Sequence, residues 1–199
     1  MDIDDSTGIH TAFLKDYYLT RRKVLKLFGG AFHIYDEAGN VIMYSKQKAF
    51  KLKEDMRVYT DESMTEELLT IKTPHIIDFS AKYYVYDASI GQDVGIIQRK
   101  GLKSLFKDEW VFFTPDEQEI GRMKEGGSYI LSRLFNFIPQ KYRIVTNEGQ
   151  EVAFIIQHFN PFVLKYSMRI EPGQQEMDPR LLVAAGVLLS AIEGRQKDN

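Results

Sequence analysis

Four histidines, His10, His33, His75 and His158, are the first residues to test for chemistry, because an imidazole serves as general base or metal ligand. Their spacing contains no HxxH or HExxH step, so no helix presents two of them to one metal ion. Each reads as a strand or loop residue. The chain has no cysteine, which removes thiolate nucleophiles, Cys-based zinc sites and disulfides and fits a reducing, cytoplasmic setting. Gly29-Gly30 and Gly126-Gly127 lack both the strand-to-helix context and the lysine of a phosphate loop. Asp2-Ile3-Asp4-Asp5-Ser6-Thr7-Gly8 has the start of a calcium loop, but its glycine falls one place late and no glutamate closes it. It reads as a solvated tail. Carboxylates gather at Glu54, Asp55, Asp61, Glu62, Glu66 and Glu67, with no cleft to assign a pair as acid and base. The residues therefore predict no catalytic centre, no cofactor and no metal, and the expectation is a non-enzymatic binding module.

The elements that must carry these residues read as one soluble domain. The chain has 199 residues, 44% hydrophobic and 27% charged, enough to bury a core without staples. Its formal charge of −2 exerts no global pull toward nucleic acid or membrane. Asp2, Asp4 and Asp5 are the wrong charge for a secretory leader, so residues 1–16 read as an intracellular N-terminal tail and 17–199 as the domain.

Within that domain short β-rich runs alternate with Asp/Asn/Gly turns. Hairpins are predicted for Phe32–Tyr35 with Val41–Tyr44, Tyr83–Tyr86 with Val94–Ile97, Trp110–Phe113 with Ile120–Met123, and Tyr142–Val145 with Glu151–Ile156. The links between hairpins also repeat: 47–59 and 98–112 each run from a polar strand end through an apolar-basic stretch into a new strand. Hairpin plus link, repeated, predicts a barrel or a sandwich.

Asp178-Pro179 opens a helix with an N-cap acceptor and a proline at the first helical position. The helix is predicted over 179–193, with Gly194 as its stop. Leu181–Ile192 is apolar on every side, so the sheet must enclose it; packing on one face of a sandwich under a partner chain is the alternative. At about 1.5 Å per residue that run covers roughly 18 Å, short of the ~30 Å of a bilayer core, so no transmembrane span is expected.

Three features together carry a family resemblance: hairpins of the form φ-x-φ-Tyr-Asp-x-x-Gly at 32–39, the link Lys46–Tyr59, and the terminal Asp178-Pro-Arg-Leu-Leu-Val-Ala-Ala helix. From Tyr17 to Glu193 the chain resembles the LURP-one-related proteins, in the tubby C-terminal-like superfamily that also holds the phospholipid scramblases. The resemblance implies a mainly β (α+β) fold, a closed antiparallel barrel of about twelve strands threaded by a central hydrophobic helix. The acidic calcium segment that scramblases carry before this helix is not matched by Glu171–Asp178, and their acylated cysteines are missing, which separates the chain from calcium-driven lipid flipping.

Basic residues gather in three places: Arg21, Arg22, Lys23 and Lys26; Lys46, Lys48, Lys51 and Lys53; Arg99, Lys100, Lys103 and Lys107. Tubby domains hold phosphoinositide headgroups with basic side chains, so the resemblance makes anionic phospholipid or phosphate the candidate ligand. Arg21, Arg22, Lys23, Lys48, Lys51, Lys53, Arg99, Lys100 and Lys103 are the candidate binding residues, with a peripheral membrane position or a protein partner implied. Against this stand lysines that only solvate a surface or guard strand edges. Nucleic acid is not expected, because the aromatics alternate as a core does. A second hypothesis is a small-ligand carrier or an enzyme with a pocket at the barrel mouth near the end of the helix.

Overall fold

The computed structural model describes residues 2–22, 31–47, 55–73, 76–77, 80–100, 109–126, 139–158, 160, 163–173 and 177–196. Period-two alternation of buried and accessible residues makes the strands; β4, for example, runs half-buried, buried, half-buried, buried, half-buried. The first seven strands are β1 (Tyr17–Arg22), β2 (Ala31–Tyr35), β3 (Val41–Gln47), β4 (Asp55–Tyr59), β5 (Glu67–Lys72), β6 (Ile76–Ile77) and β7 (Ser80–Asp87). There follow β8 (Gln92–Lys100), β9 (Glu109–Phe113), β10 (Glu119–Gly126), β11 (Lys141–Thr146), β12 (Glu151–His158) and β13 (Lys165–Ile170), then the helix α1 (Pro179–Gln196).

All pairings are antiparallel and follow chain order, with β1 beside β13 and β5 beside β7. Those two contacts close the sheet. β5 lies along Tyr84–Asp87 of β7 and the two-residue β6 along Ser80 and Ala81 of the same strand, so β5 and β6 share one stave. The result is the closed twelve-strand barrel that the sequence resemblance implied.

The barrel has two unlike rims. At one, five hairpins (β2–β3, β4–β5, β7–β8, β9–β10, β11–β12) turn tightly, and each slips register at a bulge beside its turn. Turns 36–40, 114–118 and 146–150 repeat one hydrogen-bond pattern, in which the first residue's amide donates to the fifth residue's carbonyl and its side chain accepts from the fifth residue's amide. The strand ends flanking 23–30, 48–54, 101–108 and 127–138 all lie at the opposite rim. These two ends are the turn rim and the link rim.

α1 fills the bore. Every residue from Leu181 to Ile192 is buried, and the helix touches β1 and β13 on one side and β5, β7 and β8 on the other. β13 and β7 are six staves apart in the ring of twelve, so the helix meets opposite walls at once. Asp178 caps it as expected, accepting Arg180 N–H on Oδ1 at 2.9 Å. The helix continues through Gly194 to Gln196, three residues past its predicted end. Glycine ends a helix when the chain turns there; here the last turn simply runs on, at a modest propensity cost.

Asp2–Gly8 is largely exposed, as read, but the N-terminal segment as a whole is ordered against the barrel. Ile3 bridges to His10, Asp4 caps a turn through Ser6 and Thr7, and a 3-10 turn at Thr11–Phe13 follows. Phe13 is 0% exposed and belongs to the same core as α1. The burial of this one aromatic ring ties the segment to the turn rim.

Candidate functional site

Each basic cluster begins or ends on a strand, and strand parity decides which way its side chains face. Along β1, Thr20 and Tyr18 point inward and are buried, so Arg21 points outward. It is exposed and stands between Lys165 of β13 and His33 of β2 in register. Lys165 in turn stands opposite His158 of β12. His158–Lys165–Arg21–His33 is therefore one lateral row on the outer wall beside the link rim.

The row has a defined frame. His158 Nε2 shares a hydrogen bond with Ser167 Oγ at 2.7 Å, and His33 Nε2 lies 2.5 Å from Glu62 Oε1, which the β4–β5 turn brings back over the wall. No carboxylate among the described residues pairs with Arg21 or Lys165. Adjacent antiparallel residues have Cβ atoms about 5 Å apart, so these two cations repel at close range.

Other basic residues fare differently. Arg22 pairs with Phe32 on the inward face and is half-buried. Arg99, a predicted surface ligand, is only 6% exposed: it shares the inward face with Ala81 and Trp110, and its guanidinium lies 5.5 Å from the Trp110 ring centroid. It belongs to the interior, where its guanidinium lies over the Trp110 face. Lys100, one residue on, is exposed at the link rim. Lys23, Lys48, Lys51, Lys53 and Lys103 lie outside the described residues.

Two further constellations sit at the turn rim. Arg180, at the start of α1, donates to Asp87 Oδ2 at 2.9 Å, to Gln92 Oε1 at 3.0 Å and to Asp178 Oδ2 at 2.6 Å. The other oxygen of Asp87 accepts Ser89 N–H and Ser89 O–H, so the carboxylate is fully used. These bonds outweigh the burial that opposes its charge and hold the Arg180 guanidinium more firmly protonated than usual. This is a clamp between helix and hairpin, with no open coordination for a substrate. Beside the N-terminal segment lies an open cavity of about 400 Å³, lined by His10, Lys15, Ile42, Asp61 and Glu66 among others. His10 is buried there, and its Nδ1 accepts Ala12 N–H at 3.2 Å.

Sequence reasoning found Arg21 but missed Lys165 and His158 as its neighbours. The first and last strands of the chain are about 140 residues apart in sequence, and only the β1–β13 pairing that closes the ring sets them side by side. Among the described residues no group of three or more His, Asp or Glu side chains is placed to hold a metal, and no helix is long and apolar enough to cross a membrane.

A closed antiparallel barrel with a buried helix through its bore is the architecture of the tubby C-terminal-like class. Residues 17–190 match the model of the LURP-one-related family, and the chain belongs to that family. No curated protein and no solved structure matches it.

Proposed function

We propose that this protein is a non-enzymatic binding module that meets anionic phosphate groups at a membrane surface with its link rim. One observation carries the reading: the folded topology sorts the charge. Acidic residues gather in the turns and in the N-terminal segment, as at Asp36, Glu37, Asp61, Glu62, Asp116 and Glu117. The strand ends that flank all three basic clusters lie at the other rim. On this reading the basic links outweigh Asp55, Glu109 and Glu125 at their own rim, and an anionic surface orients such a molecule link rim first. Edge protection does not account for the lysines, because the β5–β7 pairing leaves the barrel without a free edge there. The links at that rim also interleave lysine with large apolar residues, as in Lys23-Val-Leu-Lys-Leu-Phe28, a composition suited to a headgroup boundary.

Liposome co-sedimentation tests this. Binding to phosphatidylserine-containing vesicles at low salt, weakening steeply as salt rises, and no binding to phosphatidylcholine vesicles is the expected result. Equal sedimentation with both, or with neither, overturns it.

A second reading has the turn-rim cavity behind it. His10 is held through one ring nitrogen in a recess that also carries Lys15, Asp61 and Glu66, which suits a small polar ligand. Thermal-shift screening of His10→Ala against the unmodified protein separates this site from the link rim.

A further inference from the structure

The N-terminal segment and the β4–β5 turn wall the turn-rim cavity between them. On one side the Ile3–His10 bridge and the bond from Thr11 N–H to the Asp2 carbonyl at 2.7 Å fold the segment back on itself, and the burial of Phe13 fixes it to the barrel. On the other, Thr60 N–H donates to the Glu66 carbonyl at 3.1 Å, so the two ends of the turn present Thr60, Asp61 and Glu66 to the same space. His10 lines that space and is only 6% exposed. Its Nδ1 accepts Ala12 N–H, which assigns the ring proton to Nε2. Nε2 has no partner among the described residues and is not sealed in by protein, so it is a donor open to the cavity.

The charged lining is one-sided: Asp2, Asp61 and Glu66 share the recess with a single ammonium, that of Lys15. Glu66 is half-buried and pairs with no cation among the described residues, whereas its neighbour Glu67 is held by Arg57 at 2.7 Å. Asp61 Oδ1 accepts Ser63 N–H at 2.7 Å, and its Oδ2 takes no bond among the described residues. Lys15 makes no ion pair among them either, although its charge is felt at Asp36. We infer that this recess is a binding site for a free basic α-amino acid, a zwitterion with one positive charge in excess. The carboxylate goes to Lys15 and to the His10 Nε2–H, and the α-ammonium and side-chain cation go to Glu66, Asp61 and Asp2. Such a ligand answers both kinds of group in the lining. A plain amine leaves the His10 and Lys15 donors unmet, and an acidic amino acid adds negative charge to a recess that already carries an excess of it. The volume of about 400 Å³ suits a molecule of this size. The inference rests on the turn-rim reading of the cavity, to which it gives a ligand class, and it is independent of the link rim.

Calorimetric titration of the full chain with L-arginine, agmatine (arginine without its carboxylate) and L-glutamate tests it. The variants are Lys15→Gln, Glu66→Gln and, as an exposed carboxylate in another turn, Glu148→Gln. L-Arginine should bind, agmatine about tenfold more weakly, and L-glutamate not at all. Glu66→Gln should weaken arginine and agmatine alike by about tenfold, and Glu148→Gln should change neither. Lys15→Gln should act in opposite directions, weakening arginine by losing the partner of its carboxylate and strengthening agmatine by removing a repelling cation. Should Glu66→Gln lower the melting temperature, the exposed Lys15→Gln carries the test through those opposite effects. Equal binding of arginine and agmatine, a preference for glutamate, or arginine binding untouched by both Lys15→Gln and Glu66→Gln overturns the inference, as does no arginine binding at all. In that last case, thermal-shift ligands that depend on His10 keep the recess as a site for another polar molecule, and their absence removes the cavity reading as well.

Discussion

Arg180 shows how a single side chain locates the helix. Its side chain is 6% exposed and that of Asp87 0%, so neither charge has water to fall back on. Buried pairs of this kind contribute modestly as pairs, but removing one partner strands the other. Arg180→Met should lower stability by about 3–5 kcal/mol, read as a fall in the urea midpoint, and adding Asp87→Asn should recover part of the loss. Tyr18 gives a pH-dependent counterpart. Burial is the main reason its phenol is pushed above the ordinary value of 10.0, a backbone N–H from Lys15 acts the other way, and Asp16 adds to the rise. Since the folded value exceeds the unfolded one, the contribution of the neutral phenol is whole below about pH 10 and is lost as pH rises beyond it. Denaturant midpoints between about pH 8 and 11 should fall for the native chain, with a shallower slope for Tyr18→Phe.

At the scale of elements, α1 and the turns obey different constraints. A Cβ built on Gly186 would meet Met168 Sδ at 3.8 Å and Cε at 3.9 Å, which is ordinary contact. Gly186→Ala should therefore be tolerated and even stabilise by ~0.5–1 kcal/mol through helix propensity, while Gly186→Leu should cost ~1–3 kcal/mol by overpacking the bore. Thermal melting of the two variants should move in opposite directions; equal melting would count against an enclosed helix. Gly121 has no such room. A Cβ there would lie 2.5 Å from the Val145 carbonyl oxygen and 2.8 Å from Met177 Cε, beside the β9–β10 bulge. The hairpin and the segment leading into α1 close on that position together, so Gly121→Ala should destabilise where Gly186→Ala does not.

For the whole molecule, the decisive property is that one helix fills the core of the ring. Deleting residues 178–199 removes the interior surface against which the inward rows of the barrel pack. Such a chain should be recovered mostly insoluble, measured as soluble yield beside the full-length protein. The same topology keeps turns and links apart: around the twelve staves an up-and-down meander sends alternate connections to opposite rims, so hairpin turns and links cannot mix.

The hairpins were legible from alternation and turn chemistry, because both are local: Phe32–Tyr35 with Val41–Tyr44 folds as read, Asp36 supporting the turn through its own side chain. The enclosed helix was legible too, since twelve consecutive residues with no polar face leave only burial. What sequence order hides is partnership between remote segments. The burial of Arg99 against Trp110, the use of Phe13 as a core residue and the Arg180–Asp87 clamp all join positions that no local spacing connects. Above all, the facing of Arg21 by Lys165 exists only because the first strand pairs with the last. Local composition determined which segments become strands, turns and helix; ring closure decided which charges are buried, which are neutralised and which are left facing each other, because register is a property of pairs of strands and not of either one alone.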